Sequence, residues 1–232
     1  MIESTYCVLI GSAGRPTLAS TLDSFARQAR RPGDLLIVIF DGFEKSPTYL
    51  HGLRELVTSR GPGFIAIDYD AGYHWYGVEQ INAAIRAELH LTCSHVFTLG
   101  DDDIFVDGAF DRLRPLTDRY PERPVLYRFL APWRRVLWDL PRMMKSHISG
   151  CCIAAPSLYV DEMPTARYVE HDYDWMQAIL RRSAAPPLWI DDLLVVARPD
   201  RAADGSATKH GPFYRDGRGR YMQADDEQAS YG

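Results

Sequence analysis

Phe97-Thr98-Leu99-Gly100-Asp101-Asp102-Asp103-Ile104-Phe105 passes from apolar residues into three consecutive carboxylates and back again. Three adjacent anions repel one another and are costly beside a core. A buried strand that ends at a divalent cation removes the conflict, because hard cations such as Mg²⁺ and Mn²⁺ prefer oxygen ligands. A solvated acidic turn, with Asp103 or Asp107 capping the following helix, is the other reading of the same residues.

The residues upstream set this stretch in a repeating plan. Tyr6-Cys7-Val8-Leu9-Ile10, Leu35-Leu36-Ile37-Val38-Ile39-Phe40, Phe64-Ile65-Ala66-Ile67 and Ser94-His95-Val96-Phe97-Thr98-Leu99 read as continuous apolar strands. Helical patterns separate them. Thr17 stands as an N-cap before Leu18, Leu22, Phe25 and Ala26; a second helix spans 48–59 with Leu50, Leu53, Leu56 and Val57 on one face; a third spans 78–89. Strands of this kind alternating with helices give an α/β fold with a mainly parallel central sheet flanked by helices. Ligands of such sheets bind beyond the carboxyl ends of the strands. Gly11 to Arg15, Asp41-Gly42 and Gly100 to Asp103 all fall at those ends and are expected on one rim.

The second half is less regular. Val125-Leu126-Tyr127 reads as a short strand, 147–155 as a further strand, 172–180 as a helix, and 188–196 as a strand interrupted by Asp191-Asp192. Between them, 131–145 mixes Trp133 and Trp138 with Arg134, Arg135, Arg142 and Lys145. That composition suits a lid stacking on sugars or bases, an interfacial amphipathic element, or interdomain packing. From Arg198 onward the chain is rich in Gly, Asp, Arg and Ala and reads as a loop or tail.

With 232 residues, of which 46% are hydrophobic, the chain is long enough for one large domain with a sizeable core. A formal net charge of −5 disfavours broad non-specific binding to nucleic acid. Cys7, Cys93, Cys151 and Cys152 lack zinc spacing and disulfide density, so reduced thiols and a cytoplasmic location are expected. No charged-then-apolar leader and no apolar run of membrane-spanning length is present.

Taken in order, these segments resemble a family-2 glycosyltransferase of the GT-A fold over roughly residues 5 to 197. Val8-Leu9-Ile10-Gly11-Ser12 through Ser24-Phe25-Ala26-Arg27-Gln28 is similar to the family's first strand–helix. Phe40-Asp41-Gly42 stands where the family has D-D-G-S. Gly77 to Ile85, with Asn82, resembles the helix before the metal motif, and Leu99 to Gly108 resembles D-x-D-D-I-x-x-P-G. Ile148-Ser149-Gly150-Cys151-Cys152 resembles the acceptor segment, and Glu170-His171-Asp172-Tyr173-Asp174-Trp175 the E-D-Y-D-L helix start. Phe40, Gly100, His171 and Ile81 depart from the family's usual residues.

The resemblance implies a transferase that moves a sugar from a nucleoside-diphosphate sugar, a UDP-sugar foremost, to an acceptor hydroxyl, with inversion and with Mn²⁺ or Mg²⁺. It implies a GT-A domain over 1–197, divided into a nucleotide-sugar-binding half (1–105) and an acceptor-binding half (106–197), and a tail over 198–232 that closes over the donor. Asp102, Asp103 and His210 are the implied metal or diphosphate ligands. Ser12, Arg15, Asp41, Asn82 and Asp101 are the implied donor contacts, with Asp41 facing the base. Asp172 is the implied general base, with Asp174 and Glu170 as competitors. The acceptor is left open among glycans, small molecules, lipid-linked sugars and modified nucleobases, and the small size allows a homodimer. A sugar-phosphate nucleotidyltransferase shares the strand–helix plan, and Gly11 to Pro16 resembles its phosphate loop. A catalytically degenerate GT-A binding module is the non-enzymatic alternative.

Overall fold

Apolar strands without a polar face must be covered on both sides, and the helices that follow them do this. The computed structural model describes residues 3–41, 46–69, 77–131, 136–138, 140–145, 147–165, 171–197, 213–215 and 221–223. Its first half runs β1 (Tyr6–Ser12), α1 (Leu18–Ala26), β2 (Leu35–Asp41), α2 (Pro47–Thr58), β3 (Phe64–Tyr69), α3 (Val78–Arg86) and β4 (His95–Gly100). These four strands lie in the order β3-β2-β1-β4, all parallel, and the expected α/β architecture is present. Pairing aligns Ser12 with Phe40 and Gly11 with Gly100, so Asp41, Ser12 and Asp101 end neighbouring strands in one row.

The second half closes the sheet with mixed pairing. It contributes β5 (Asp103–Phe105), α4 (Ala109–Arg119), β6 (Val125–Leu130), β7 (Val136–Leu137), β8 (Ile153–Pro156), α5 (His171–Arg182) and β9 (Leu188–Ala197). Beyond β4 the order is β8-β6-β9-β5, with β7 on β6; only the β6–β9 pair is parallel. Within 198–232, Phe213–Arg215 (β10) and Tyr221–Gln223 (β11) pair antiparallel.

The core is aromatic where sheet and helices meet. Tyr6, Phe97, Phe105 and Phe110 are fully buried, and Tyr6 and Phe105 set their rings edge-on to Phe97 and Phe110. At the amino edge of the sheet, Arg114 pairs with Asp34 and Arg31 is bidentate on Asp118 at 2.8 Å. That network fastens α4 to the strand starts, opposite the acidic rim. Among the described residues no helix is long and apolar enough to cross a membrane.

Several local expectations are corrected. Thr17 stands at the N-cap position of α1, but its hydroxyl makes no hydrogen bond to cap the helix. Neither Asp103 nor Asp107 caps α4: Gly108 does, at φ 73°, while Asp103 opens β5 and Asp107 pairs with Arg27. Residues 147–155 form a strand only from Ile153, after a 3₁₀ turn over Gly150–Cys152. β9 is continuous through Asp191 and Asp192, because its register against β6 shifts there and the two carboxylates reach Arg128 and Arg112. Trp138 is core: it is 1% exposed, donates its indole N–H to the Tyr127 carbonyl and packs edge-on against Trp189. Trp133, Arg134 and Arg135 lie outside the described residues.

Candidate active site

A carboxylate at a strand end is held wherever backbone N–H groups and short side chains reach it, and the three adjacent aspartates are held in three different ways. Asp101 is 3% exposed. Its Oδ2 accepts the Ser12 hydroxyl at 2.8 Å and the Ala13 N–H at 3.2 Å, and Ser12 Oγ in turn accepts the Gly14 N–H. Asp101 and Ser12 therefore stitch the β4 end to the turn after β1. Both side chains are engaged with the turn. The same bonds occupy the Ala13 and Gly14 amides, so this turn does not present them as a phosphate loop would.

Asp102 faces outward enough to meet Arg15, whose Nη1 lies 2.5 Å from its Oδ2 and 3.4 Å from Asp101 Oδ1. Asp103 turns back: its Oδ2 accepts the Gly100 N–H at 2.9 Å and the Cys151 S–H at 3.3 Å. Burial, with Asp103 and Asp172 nearby, pushes the Cys151 thiol well up, so it remains a protonated donor. Gly100 lacks the Cβ that would crowd this arrangement. One placed there would lie 2.9 Å from both Asp102 Oδ1 and Asp103 Oδ2, so oxygens from two carboxylates converge over it. A hard divalent cation commonly takes one or two carboxylates and completes its shell with phosphates and water; here Asp103 Oδ2 is already taken by the Gly100 N–H and the Cys151 S–H. Among the described residues no group of three or more His, Cys, Asp and Glu side chains forms a metal centre. His210 lies outside the described residues, as do Gly42 and Glu170.

Asp41 ends β2 and is 9% exposed, one strand away from the Ser12 turn. Asn82 is elsewhere. It is fully buried, donates to the Met163 carbonyl at 2.9 Å and accepts the Met163 N–H at 2.7 Å. A side chain so enclosed clamps α3 to the 160–163 segment.

The 149–151 segment joins the acidic rim to α5. Thr98 of β4 donates to the Gly150 carbonyl at 3.0 Å. The Gly150 N–H at 2.9 Å and the Ser149 hydroxyl at 3.3 Å both reach Asp172 Oδ2, while His171 Nε2 lies 3.0 Å from Oδ1. Burial alone would raise the Asp172 carboxyl, but His171, the Gly150 amide and the Ser149 hydroxyl outweigh it and hold the group below its ordinary value. Asp172 is thus ionised at neutral pH, with its side chain 29% exposed. Asp174, the competitor two residues on, is half-buried on the same helix. Sequence reasoning missed Cys151 and the Gly150 amide as the link between the two acidic centres; the small-residue run Ser149-Gly150-Cys151-Cys152 was the only signal.

A parallel β3-β2-β1-β4 half ending in an acidic rim, joined to a mixed half whose helix opens with a held carboxylate, defines the GT-A fold class. No family model and no curated protein sequence matches the chain. Among solved structures, residues 1–349 of S. aureus TarS superpose with a TM-score of 0.62 at 12% identity, over 84% of this chain and 61% of that one. The same TarS fragment in complex with UDP gives 0.60 at 12% identity, over 83% and 60%. In complex with UDP-GlcNAc it gives 0.59 at 12% identity, over 83% and 58%. The chain spans about three fifths of these TarS structures. At this identity the likeness is one of fold.

Proposed function

We propose that this protein is a metal-dependent, inverting glycosyltransferase that uses a nucleoside-diphosphate sugar, with a UDP-sugar as donor. One observation carries the reading: through Ser149-Gly150-Cys151, a single short segment binds both the Asp172 carboxylate and Asp103 of the acidic rim. In this reading the proton acceptor and the cation-binding carboxylates are joined by that segment, as transfer from a diphosphate leaving group requires. The fold likeness to TarS, solved with UDP and with UDP-GlcNAc, supports the choice of donor.

In this reading Asp41 accepts an N–H of the base at the end of β2. Arg15, with 45% of its side chain exposed, swings from Asp102 toward the diphosphate. Asp102 and Asp103, with His210, would hold Mn²⁺ or Mg²⁺, which supplies neutralisation of the charge on the leaving diphosphate. Asp172 Oδ1 takes the proton of the acceptor hydroxyl as its oxygen bonds to the anomeric carbon and the bond from that carbon to the diphosphate oxygen breaks. Asp101 and Ser12 fix the turn that carries Arg15.

The test is release of UDP from a panel of UDP-sugars, UDP-GlcNAc included, in Mn²⁺. General-base removal costs about 10²–10⁴-fold, so Asp172→Asn should lose at least about 100-fold in kcat while UDP affinity is unchanged. Full turnover by that variant would take the base role away from Asp172.

A further inference from the structure

The Asp172 carboxylate has two unequal oxygens. Oδ2 accepts two hydrogen bonds, from the Gly150 amide at 2.9 Å and the Ser149 hydroxyl at 3.3 Å, which fills both of its in-plane lone pairs. Oδ1 has one polar neighbour, His171 Nε2 at 3.0 Å, and the Asp172 side chain is 29% exposed. His171 is the first residue of α5 and 7% exposed, so its ring is fixed by packing. The 149–151 backbone is itself fixed by Thr98. The carboxylate therefore stands in a three-point clamp.

We propose that His171 is a positioning residue for this reaction: by donating to Oδ1 it orients the Asp172 carboxylate, selects that oxygen as the proton acceptor and favours its ionised form. This rests on the reading of Asp172 as general base. Among the described residues, the other titratable groups around the pair are Cys151 and Cys152 on the 3₁₀ turn, Asp103 of β5 behind Cys151, Tyr173 and Asp174 on α5, and Tyr159 of the 157–159 turn packed on α5. None of them donates a hydrogen bond to Asp172. The thiols cannot replace the imidazole: Cys151 is committed to Asp103, and Cys152 Sγ accepts the Ser149 N–H. At a position where the resembled family carries an acid, this chain carries a donor.

Carbon-13 NMR of protein labelled at the aspartate carboxyl carbon reads the Asp172 titration directly, without a known acceptor. Asp172→Asn assigns the resonance. His171→Leu fills the buried space without a donor, and the Asp172 midpoint should rise by about one pH unit or more. His171→Gln returns an N–H donor and should keep the midpoint within about half a unit of the unaltered protein. Should the leucine variant not fold, His171→Asn, whose shorter amide does not reach Oδ1, replaces it with the same expected rise. A midpoint unmoved by loss of the donor, or raised equally by glutamine, overturns the proposal. Full turnover by Asp172→Asn would instead overturn the base assignment and leave this titration intact, so the two failures are distinct.

Discussion

Replacing Asp101 and Asp102 one at a time with alanine separates the aspartate that holds the fold from the one that faces a ligand. Asp101 is buried, and its Oδ2 takes two hydrogen bonds that tie β4 to the turn after β1. Hydrogen bonds to an ionised group are worth about 1.5–3 kcal/mol each and do not add fully. Asp101→Ala should therefore cost about 3 kcal/mol, leaving the Ser12 hydroxyl and the Ala13 amide without their acceptor. For a domain of this size that is a fall in Tm of roughly 6–12 °C. Asp102 instead pairs with Arg15, whose side chain is 45% exposed, and such a pair is worth about 1 kcal/mol or less. Urea unfolding followed by circular dichroism, with thermal melts of the same samples, measures both. A loss at Asp101 no greater than that at Asp102 would refute the assignment of Asp101 to the fold.

Two further outcomes follow from buried polar groups. Asn82→Ala breaks both bonds to Met163 and should destabilise the protein by about 2–4 kcal/mol in urea, with UDP affinity unaltered in the folded protein; a weakened affinity at unchanged stability would return Asn82 to the donor site. Burial, with Arg114 nearby, pushes the fully buried His95 down to about 4. The unfolded chain then binds more protons than the native state between the ordinary histidine value and about 4. Stability should fall as pH falls through that window, by about 3 kcal/mol in all at this site. His95→Gln should remove that contribution, and an identical pH dependence in the variant would contradict it.

The parallel half was legible because its strands are apolar on both faces and its helices carry one apolar stripe each, so β1 to β4 could be placed from periodicity alone. The convergence of Asp41, Ser12 and Asp101 followed from topology, since parallel strands end at one edge. What each side chain does there was not legible. Asp101, Asp102 and Asp103 are identical in composition, and only the third dimension shows that one meets a turn, one an arginine, and one a thiol and its own strand end. Asn82 matched a motif but is closed off by Met163, a partner 81 residues away. Trp138 read as a stacking surface because aromatic residues among arginines give the same local pattern in a lid and in a core. The clamp on Asp172 depends on backbone amides and on a strand-to-turn contact from Thr98, neither of which leaves a signal in side-chain spacing.

Calorimetric titration of UDP into the protein in the presence of Mn²⁺ tests the central claim most directly. The account predicts saturable one-to-one binding, weakened at least about tenfold by chelating the metal or by Asp102→Ala, as loss of a charged contact of about 1.4 kcal/mol or more requires. Absence of binding by UDP and by every other common nucleoside diphosphate, with and without metal, would contradict it.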